Sequence, residues 1–261
     1  MPLKKISLST DLNIINHIAS KFTPVSLEEI DAVKLMSRID RKYWFHLSCL
    51  PHILEQTLPD YHILEIDGQR IMEYQTTYYD TADDSMYLKH HNRKMNRHKI
   101  RRRKYISTGT SFLEVKFKTN KKLTIKNRVE ASFEKNGFVP SELSFIQHQT
   151  AYPGQNLVPV LNNRFRRITL IHKDKLDRCT IDISPVFSNN NKKIEIQNLG
   201  IFELKRGRSL KSSPIVAILR QLKIRQRGMS KYCTGRALLE PGIKRNAFNP
   251  RLRFLEKEIL N

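Results

Sequence analysis

Arg97-His98-Lys99-Ile100-Arg101-Arg102-Arg103-Lys104-Tyr105 decides the fold, together with Phe112-Leu113-Glu114-Val115-Lys116-Phe117-Lys118, which follows it after a turn at Ser107-Thr108-Gly109-Thr110. Successive side chains of a strand point to opposite faces. The first stretch therefore gathers Arg97, Lys99, Arg101, Arg103 and Tyr105 on one face. The second sets Phe112, Glu114, Lys116 and Lys118 against Leu113, Val115 and Phe117. Both strands have a side rich in cations, and the second has an apolar side that suits a core.

The same pattern recurs outward along the chain. Thr124, Lys126 and Arg128 oppose Leu123, Ile125 and Val129. Arg167 and Thr169 oppose Ile168 and Leu170; Arg178, Thr180 and Asp182 oppose Cys179, Ile181 and Ile183. Glu203 and Lys205 oppose Phe202 and Leu204. Further strands are expected over 38–46, 164–172, 178–184 and 194–206, with 61–66 and 70–79 joined as a hairpin at Asp67-Gly68. Helices are expected over 48–57, with Ser48 as N-cap and Pro51 in the first turn, over 141–150, over 214–222 behind Ser213, and from near Ser230. Solvent faces usually intersperse both signs, and like charges on neighbouring strands repel. A face this cationic calls for a bound polyanion or counterions to offset the repulsion. The expected fold is α+β: an antiparallel sheet curled into a closed β-barrel, its charged face lining the bore and its apolar face packed under helices.

Composition agrees. Lys and Arg number 47 against 25 Asp and Glu, a formal net charge of +22 in 261 residues. Such a field attracts nucleic acid, anionic membrane or polyphosphate. The 39% hydrophobic content supports a sizeable core. Cys49, Cys179 and Cys233 are odd in number and form no CxxC, which argues against a disulfide framework or a zinc site. Met1-Pro2-Leu3-Lys4-Lys5 lacks the apolar region of a signal peptide, and no apolar run of about 18 residues encodes a membrane helix. The expectation is a cytoplasmic protein with no membrane segment of its own. His90 and His91 lie in a polar stretch and are expected at the surface, whereas Tyr43, Trp44 and Cys179 are expected to pack.

These residues, in order, resemble the VTC domain, the polyphosphate polymerase domain of the triphosphate tunnel metalloenzyme (CYTH-like) superfamily. The resemblance rests on Arg38-Ile39-Asp40-Arg41-Lys42-Tyr43-Trp44, Tyr79-Asp80-Thr81, Tyr87 with His90, and the Arg97 to Tyr105 strand. It continues through the strand carrying Glu114, Lys116 and Lys118, then Lys126 with Arg128, Arg167-Ile168-Thr169, Arg178 to Asp182, Phe202 to Lys205, and Ser230-Lys231-Tyr232. Arg38, Asp40 and Lys42 stand at the spacing of the wider superfamily's Glu-x-Glu-x-Lys. The resemblance implies three segments: 1–25 as an N-terminal segment, 26–240 as the tunnel domain and 241–261 as a basic C-terminal tail. It also implies transfer of the ATP γ-phosphate to a polyphosphate chain, with Mg²⁺ or Mn²⁺ as cofactor.

The implied catalytic set is Lys42, Arg101, Arg103, Lys116, Arg167 and Lys205. Further phosphate ligands would be Lys118, Lys126, Ser230 and Lys231, with Arg97, Lys99, Arg128 and Arg178 on the same strand faces. Glu203 is the first metal candidate, with Glu114 and Asp182 behind it. Hydrolysis of triphosphate or nucleoside triphosphate in the same bore, or polyphosphate binding without turnover, fits the sequence as well. Nucleic-acid binding through Lys244, Arg245, Arg251 and Arg253 is a weaker fit, because no nucleic-acid-binding motif is present and the cations occupy strand faces.

Overall fold

The computed structural model describes residues 8–32, 38–121, 123–133, 137–175, 177–207 and 213–260. Its strands are β1 (Pro24–Val25), β2 (Arg38–His46), β3 (Tyr61–Leu64), β4 (Met72–Thr81), β5 (Arg97–Tyr105), β6 (Ser111–Lys118), β7 (Thr124–Glu130), β8 (Leu157–His172), β9 (Asp177–Ser188), β10 (Lys193–Glu195) and β11 (Leu199–Gly207). Its helices are α1 (Leu8–Ala19), α2 (Leu27–Ala32), α3 (Leu50–Thr57), α4 (Ser85–His91), α5 (Pro140–Gln149), α6 (Pro214–Gln221), α7 (Lys231–Leu239) and α8 (Asn249–Leu255). No helix among the described residues is long and apolar enough to cross a membrane.

The strands form one 11-stranded sheet whose main path is β2-β11-β9-β8-β4-β5-β6-β7. The alternation read from the sequence sorts its two faces. Ile168, Leu170, Ile181, Ile183, Phe202 and Leu204 pack outward against α1, α3 and α6. Each such burial contributes about 1.5–3 kcal/mol. On β5 and β6 the outward residues Ile100, Leu113 and Val115 pack with Ile146 of α5. Arg102 also points outward, and it is buried with Glu142 of α5. The α+β sheet with packing helices is as expected.

Closure of the barrel is different. Strands β2 and β7 end the path and do not pair, so hydrogen bonds do not close the barrel. The free edge of β2 is instead touched by the segment before α7: Gln226 bridges to Tyr43, and the Arg227 amide donates to the Lys42 carbonyl at 2.8 Å. Edge strand β7 is thinly covered, which leaves Leu123 and Ile125 exposed rather than in the expected core.

Other expectations shift for local reasons. Asp67 and Gly68 both have positive φ, at 49° and 73°, as a tight two-residue turn requires, and Ile66 bridges to Gln69. The flanking strands do not form a hairpin, however. β3 and β4 lie end to end along the same edge of β8, which is 16 residues long and accommodates both. β8 begins at Leu157 rather than at 164, and its Pro159 sits where the register with β4 shifts between Tyr78 and Tyr79. A bulge of that kind tolerates a residue without an N–H. Ser48 is not an N-cap: a 3-10 turn at Leu47–Cys49 precedes α3, and the His46 ring accepts from the Ser48 amide.

The terminal segments fold onto the sheet. Ile15, Ile18 and Ala19 of α1 join the core under α3, while Leu252 and Leu255 of α8 and Ile259 join a second core with α7. Residues 1–7 lie outside the described residues.

Candidate functional site

Side chains on the inner face converge on a cavity of about 490 Å³. β2 contributes Asp40 and Lys42, and β11 contributes Glu203 and Lys205. β5 supplies Lys99, Arg101, Arg103 and Tyr105, while β6 and β7 supply Lys116 and Lys126. Arg167 and Arg178 come from β8 and β9, and Ser230 and Lys231 from the start of α7. Strand register explains the crowding. Lys116 is directly opposite Lys99 on one side and Lys126 on the other, a row of lysines across three strands.

Carboxylates beneath this array fix several cations. Arg101 donates from Nε to Glu114 at 2.6 Å, and Lys126 pairs with the same carboxylate. Arg167 holds Asp182 with both ends of its fork, at 2.5 and 2.9 Å, and Lys231 also bonds Asp182. Lys42 bonds Glu203, with Lys205 at 3.9 Å. Burial works against ionisation of Glu114, but Arg101, Arg103 and Lys126 outweigh it and hold the carboxyl well below the usual range. Asp182 is lowered in the same way by Arg167 and Lys231. Glu203, despite its burial, is held at about 2 by Lys42 and Lys205.

Three cations that line the cavity have no carboxylate partner among the described residues: Lys99, which donates to the Ser230 hydroxyl at 3.0 Å, Arg103 and Lys116. Arg103 donates to the Thr76 hydroxyl at 3.2 Å and lies over the Tyr74 and Phe165 rings. Burial, then Arg101, lowers its affinity for its own proton. Lys116 has no ion-pair or hydrogen-bond partner at all among them, and Arg101, burial and Arg103 push its ammonium down to about 5. Burial draws Lys205 down to about 8 against the pull of Glu203. Buried positive charge left uncompensated is unfavourable. An anion entering the cavity would relieve it.

A family model described as the VTC domain matches residues 37–240. The chain belongs to the VTC family. Among solved structures it is similar to a Vibrio parahaemolyticus protein described as an adenylate cyclase, at 10% identity, with 75% of this chain and 95% of that one covered and a TM-score of 0.46. It is also similar to a Hippeastrum protein described as an adenylyl cyclase with a dominant triphosphatase activity, at 13% identity over 77% and 95% of the two chains, with a TM-score of 0.47. An RNA triphosphatase of S. pombe aligns at 11% identity over 98% and 95%, with a TM-score of 0.31. No curated protein matches the chain.

Most of the residues expected at a VTC tunnel meet in the cavity, but three cations expected on its wall do not line it. Arg97 donates to the Lys94 carbonyl at 2.6 Å, Arg128 lies 4.5 Å from the Phe112 ring centre, and Lys118 faces Arg97 at the end of the ladder. Arg97 and Lys118 lie at one end of the β5–β7 ladder and Arg128 toward the other. Glu114 and Asp182, second metal candidates, are buried under their cations rather than presented to the cavity. No group of three or more His, Cys, Asp or Glu able to hold a metal occurs among the described residues. Glu203 and Asp40 are the carboxylates that line the cavity.

The sequence reading of this VTC chain passed over Tyr78. It lines the cavity, accepts from Arg101 at 3.5 Å and stacks on Tyr232 with ring centres 5.3 Å apart. Its position two residues before Asp80 on an alternating strand was the available signal. His91 is buried and His90 half-buried, rather than at the surface. His90 packs against the His98 carbonyl, and burial, then Lys99, draws its imidazole down to about 2. His91 Nε2 accepts from the Ala247 amide and so ties α4 to the C-terminal segment. Tyr43, Trp44 and Cys179 are buried, as expected.

Proposed function

We propose that this protein is a polyphosphate polymerase-like phosphotransferase that moves the γ-phosphate of ATP onto a polyphosphate chain. The observation that carries the reading is a set of cations, Lys99, Arg103 and Lys116, that face the cavity without carboxylate partners among the described residues. Membership of the VTC family supports a phosphate chain as the missing anion.

Phosphoryl transfer asks little covalent chemistry of a protein; it needs alignment and charge neutralisation. A terminal oxygen of the acceptor chain would attack the γ-phosphorus in line, the bond from γ-phosphorus to the β,γ-bridging oxygen would break, and ADP would leave with that electron pair. Arg103 offers a planar fork to the phosphate oxygens, and Arg101 and Arg167 offer the N–H groups that Glu114 and Asp182 do not take. Lys42, Lys116 and Lys205 offer charge whose position the strands fix. Arg101 and Arg167 are already oriented by Glu114 and Asp182, so little reordering accompanies binding.

The donor set fits a hard divalent ion, because Glu203 presents carboxylate oxygen to the cavity and bound phosphates would supply the remaining oxygen ligands. Glu203 would hold Mg²⁺ or Mn²⁺, which when bound would neutralise charge on the β- and γ-phosphate oxygens.

The test is incubation of the purified protein with ATP, Mn²⁺ or Mg²⁺ and a short polyphosphate primer. ADP with lengthened polymer supports the transferase. Free phosphate without polymer would replace it with a hydrolase, and neither product would leave a binding protein.

A further inference from the structure

The inner face of the barrel changes character along its axis. On β2 it runs Asp40, Lys42, then Trp44, and on the paired β11 it runs Lys205, Glu203, then Ile201. Charge gives way to apolar surface at the same level on both strands. β8, β9 and β4 add Leu161, Phe187 and Tyr78 to the apolar zone.

That zone is filled. Tyr232, Cys233 and Ala237 of α7 pack into it, and Phe248, Leu252 and Leu255 of the C-terminal segment close it from behind. α7 is anchored from both sides of the bore: Lys99 of β5 donates to Ser230 at 3.0 Å, and Lys231 bonds Asp182 of β9. The Ser230 hydroxyl also caps α7, accepting from the Cys233 amide at 3.2 Å. Tyr78 and Ile201 both line the cavity and belong to the buried apolar cluster, and Met229 lines the cavity and packs on that cluster. They are its floor.

Resting on the phosphate-chain reading above, we propose that the bore is closed at its α7 end, so that the protein takes a polyphosphate only by a free terminus, seated on the floor formed by Tyr78, Ile201 and Met229. A phosphate chain cannot run on into a core of Trp44, Phe187 and Leu252, where its charges would be desolvated without partners. The terminal phosphate carries the most charge and the most acceptor oxygens, and it comes to rest where Arg101, Lys231 and Ser230 converge. The specificity is for chain ends, not for chain interiors.

The experiment uses the full chain and size-fractionated polyphosphate of two well-separated lengths, at elevated salt to suppress non-specific attraction by the +22 charge. Binding stoichiometry is read by native mass spectrometry and calorimetry. Saturation at no more than two protein molecules per chain at both lengths is the expected result. Chains whose two terminal phosphates are capped as alkyl phosphoramidates should bind at least tenfold more weakly than uncapped ones. A stoichiometry that grows with chain length, or capped chains that bind as tightly as free ones, would overturn closure at the floor. If inorganic tripolyphosphate fails to bind, the phosphate-chain reading itself falls, and this proposal with it.

Discussion

Arg102 of β5 and Glu142 of α5 form an ion pair with both side chains buried, Nε lying 3.1 Å from Oε1 and Nη2 2.5 Å from Oε2. The guanidinium also reaches the Gly137 carbonyl and lies 4.9 Å from the Phe138 ring centre. Its neighbour Arg103 points the other way, into the cavity. Two adjacent arginines on one strand thus separate fold from function. Arg102→Ala strands the Glu142 charge, and removing one partner of a buried pair costs about 3–5 kcal/mol. Arg103→Ala removes a cation that already repels Arg101, so stability should hold or rise slightly. Its loss should weaken tripolyphosphate binding about 10–100-fold, the worth of a hydrogen bond to a charged group at about 1.5–3 kcal/mol. Urea unfolding and calorimetry on the two variants check this. Equal stability losses, or unchanged affinity in a folded Arg103→Ala, would contradict the assignment.

Lys116 predicts a proton linkage. Its folded value of about 5 lies far below the ordinary 10.5, so between these values the unfolded chain binds the extra proton and stability rises with pH. Below pH 5 Lys116 is charged in both states and the destabilisation is at its fullest. For the ligand the sign reverses. A bound polyanion favours the ammonium, so binding at pH 7 takes up a proton, and affinity falls as pH rises above 5. Calorimetry in buffers of different ionisation enthalpy should show this uptake in the wild type and lose it in Lys116→Met. The difference between the two isolates Lys116 from the ligand's own titration; identical uptake in both would remove the linkage.

The sheet's two faces could be read from period-two alternation because most of its strands are amphipathic. Arg101, Lys116 and Lys205 follow from that alternation, whereas Lys42 follows from the resemblance to the VTC domain; all four line the cavity. What could not be read was tertiary. Nothing local tells that β3 and β4 share one edge of β8, because the turn at Asp67-Gly68 has ordinary hairpin chemistry. The exposure of Ile125 follows from β7 being the last strand of an unclosed path, a property of the whole sheet. His91 reads as polar surface until the Ala247 amide, 156 positions away, arrives to bond it. Tyr78 carries no charge to mark it in the sequence, and it is a core residue that also lines the cavity.

Asp80 is expected to matter for stability rather than for phosphate. Its carboxylate accepts from the amides of Thr81 at 2.8 Å and of Met86 and Tyr87 at 2.9 Å, and from the Tyr232 hydroxyl. It therefore joins the start of α4 to α7. Asp80→Ala leaves several buried donors without partners, each worth about 1–3 kcal/mol. A loss of at least about 3 kcal/mol is expected, with Asp80→Asn intermediate because it keeps an acceptor. Urea unfolding measures it. A variant as stable as the wild type would show that water or a neighbour replaces the carboxylate.

Glu203 separates metal use from phosphate binding. Its carboxylate is held by Lys42 and Lys205, and its value of about 2 means that it contributes stability above the ordinary 4.5, lost as pH falls from there to about 2. Glu203→Gln keeps the shape and removes the charge. Two lysines are then freed for phosphate, so tripolyphosphate affinity without metal should hold or increase. If Glu203 holds the divalent ion, turnover with ATP should nevertheless fall more than about tenfold, and the metal concentration needed for half-maximal rate should rise. These opposite movements distinguish a metal-holding carboxylate from one that merely orders Lys42, whose loss would weaken binding and turnover together. Unchanged metal dependence in the folded variant would remove Glu203 from that role. The same variant should be less stable than the wild type near neutral pH and should lose less further stability between pH 4.5 and 2, because the group that loses its charge there is gone.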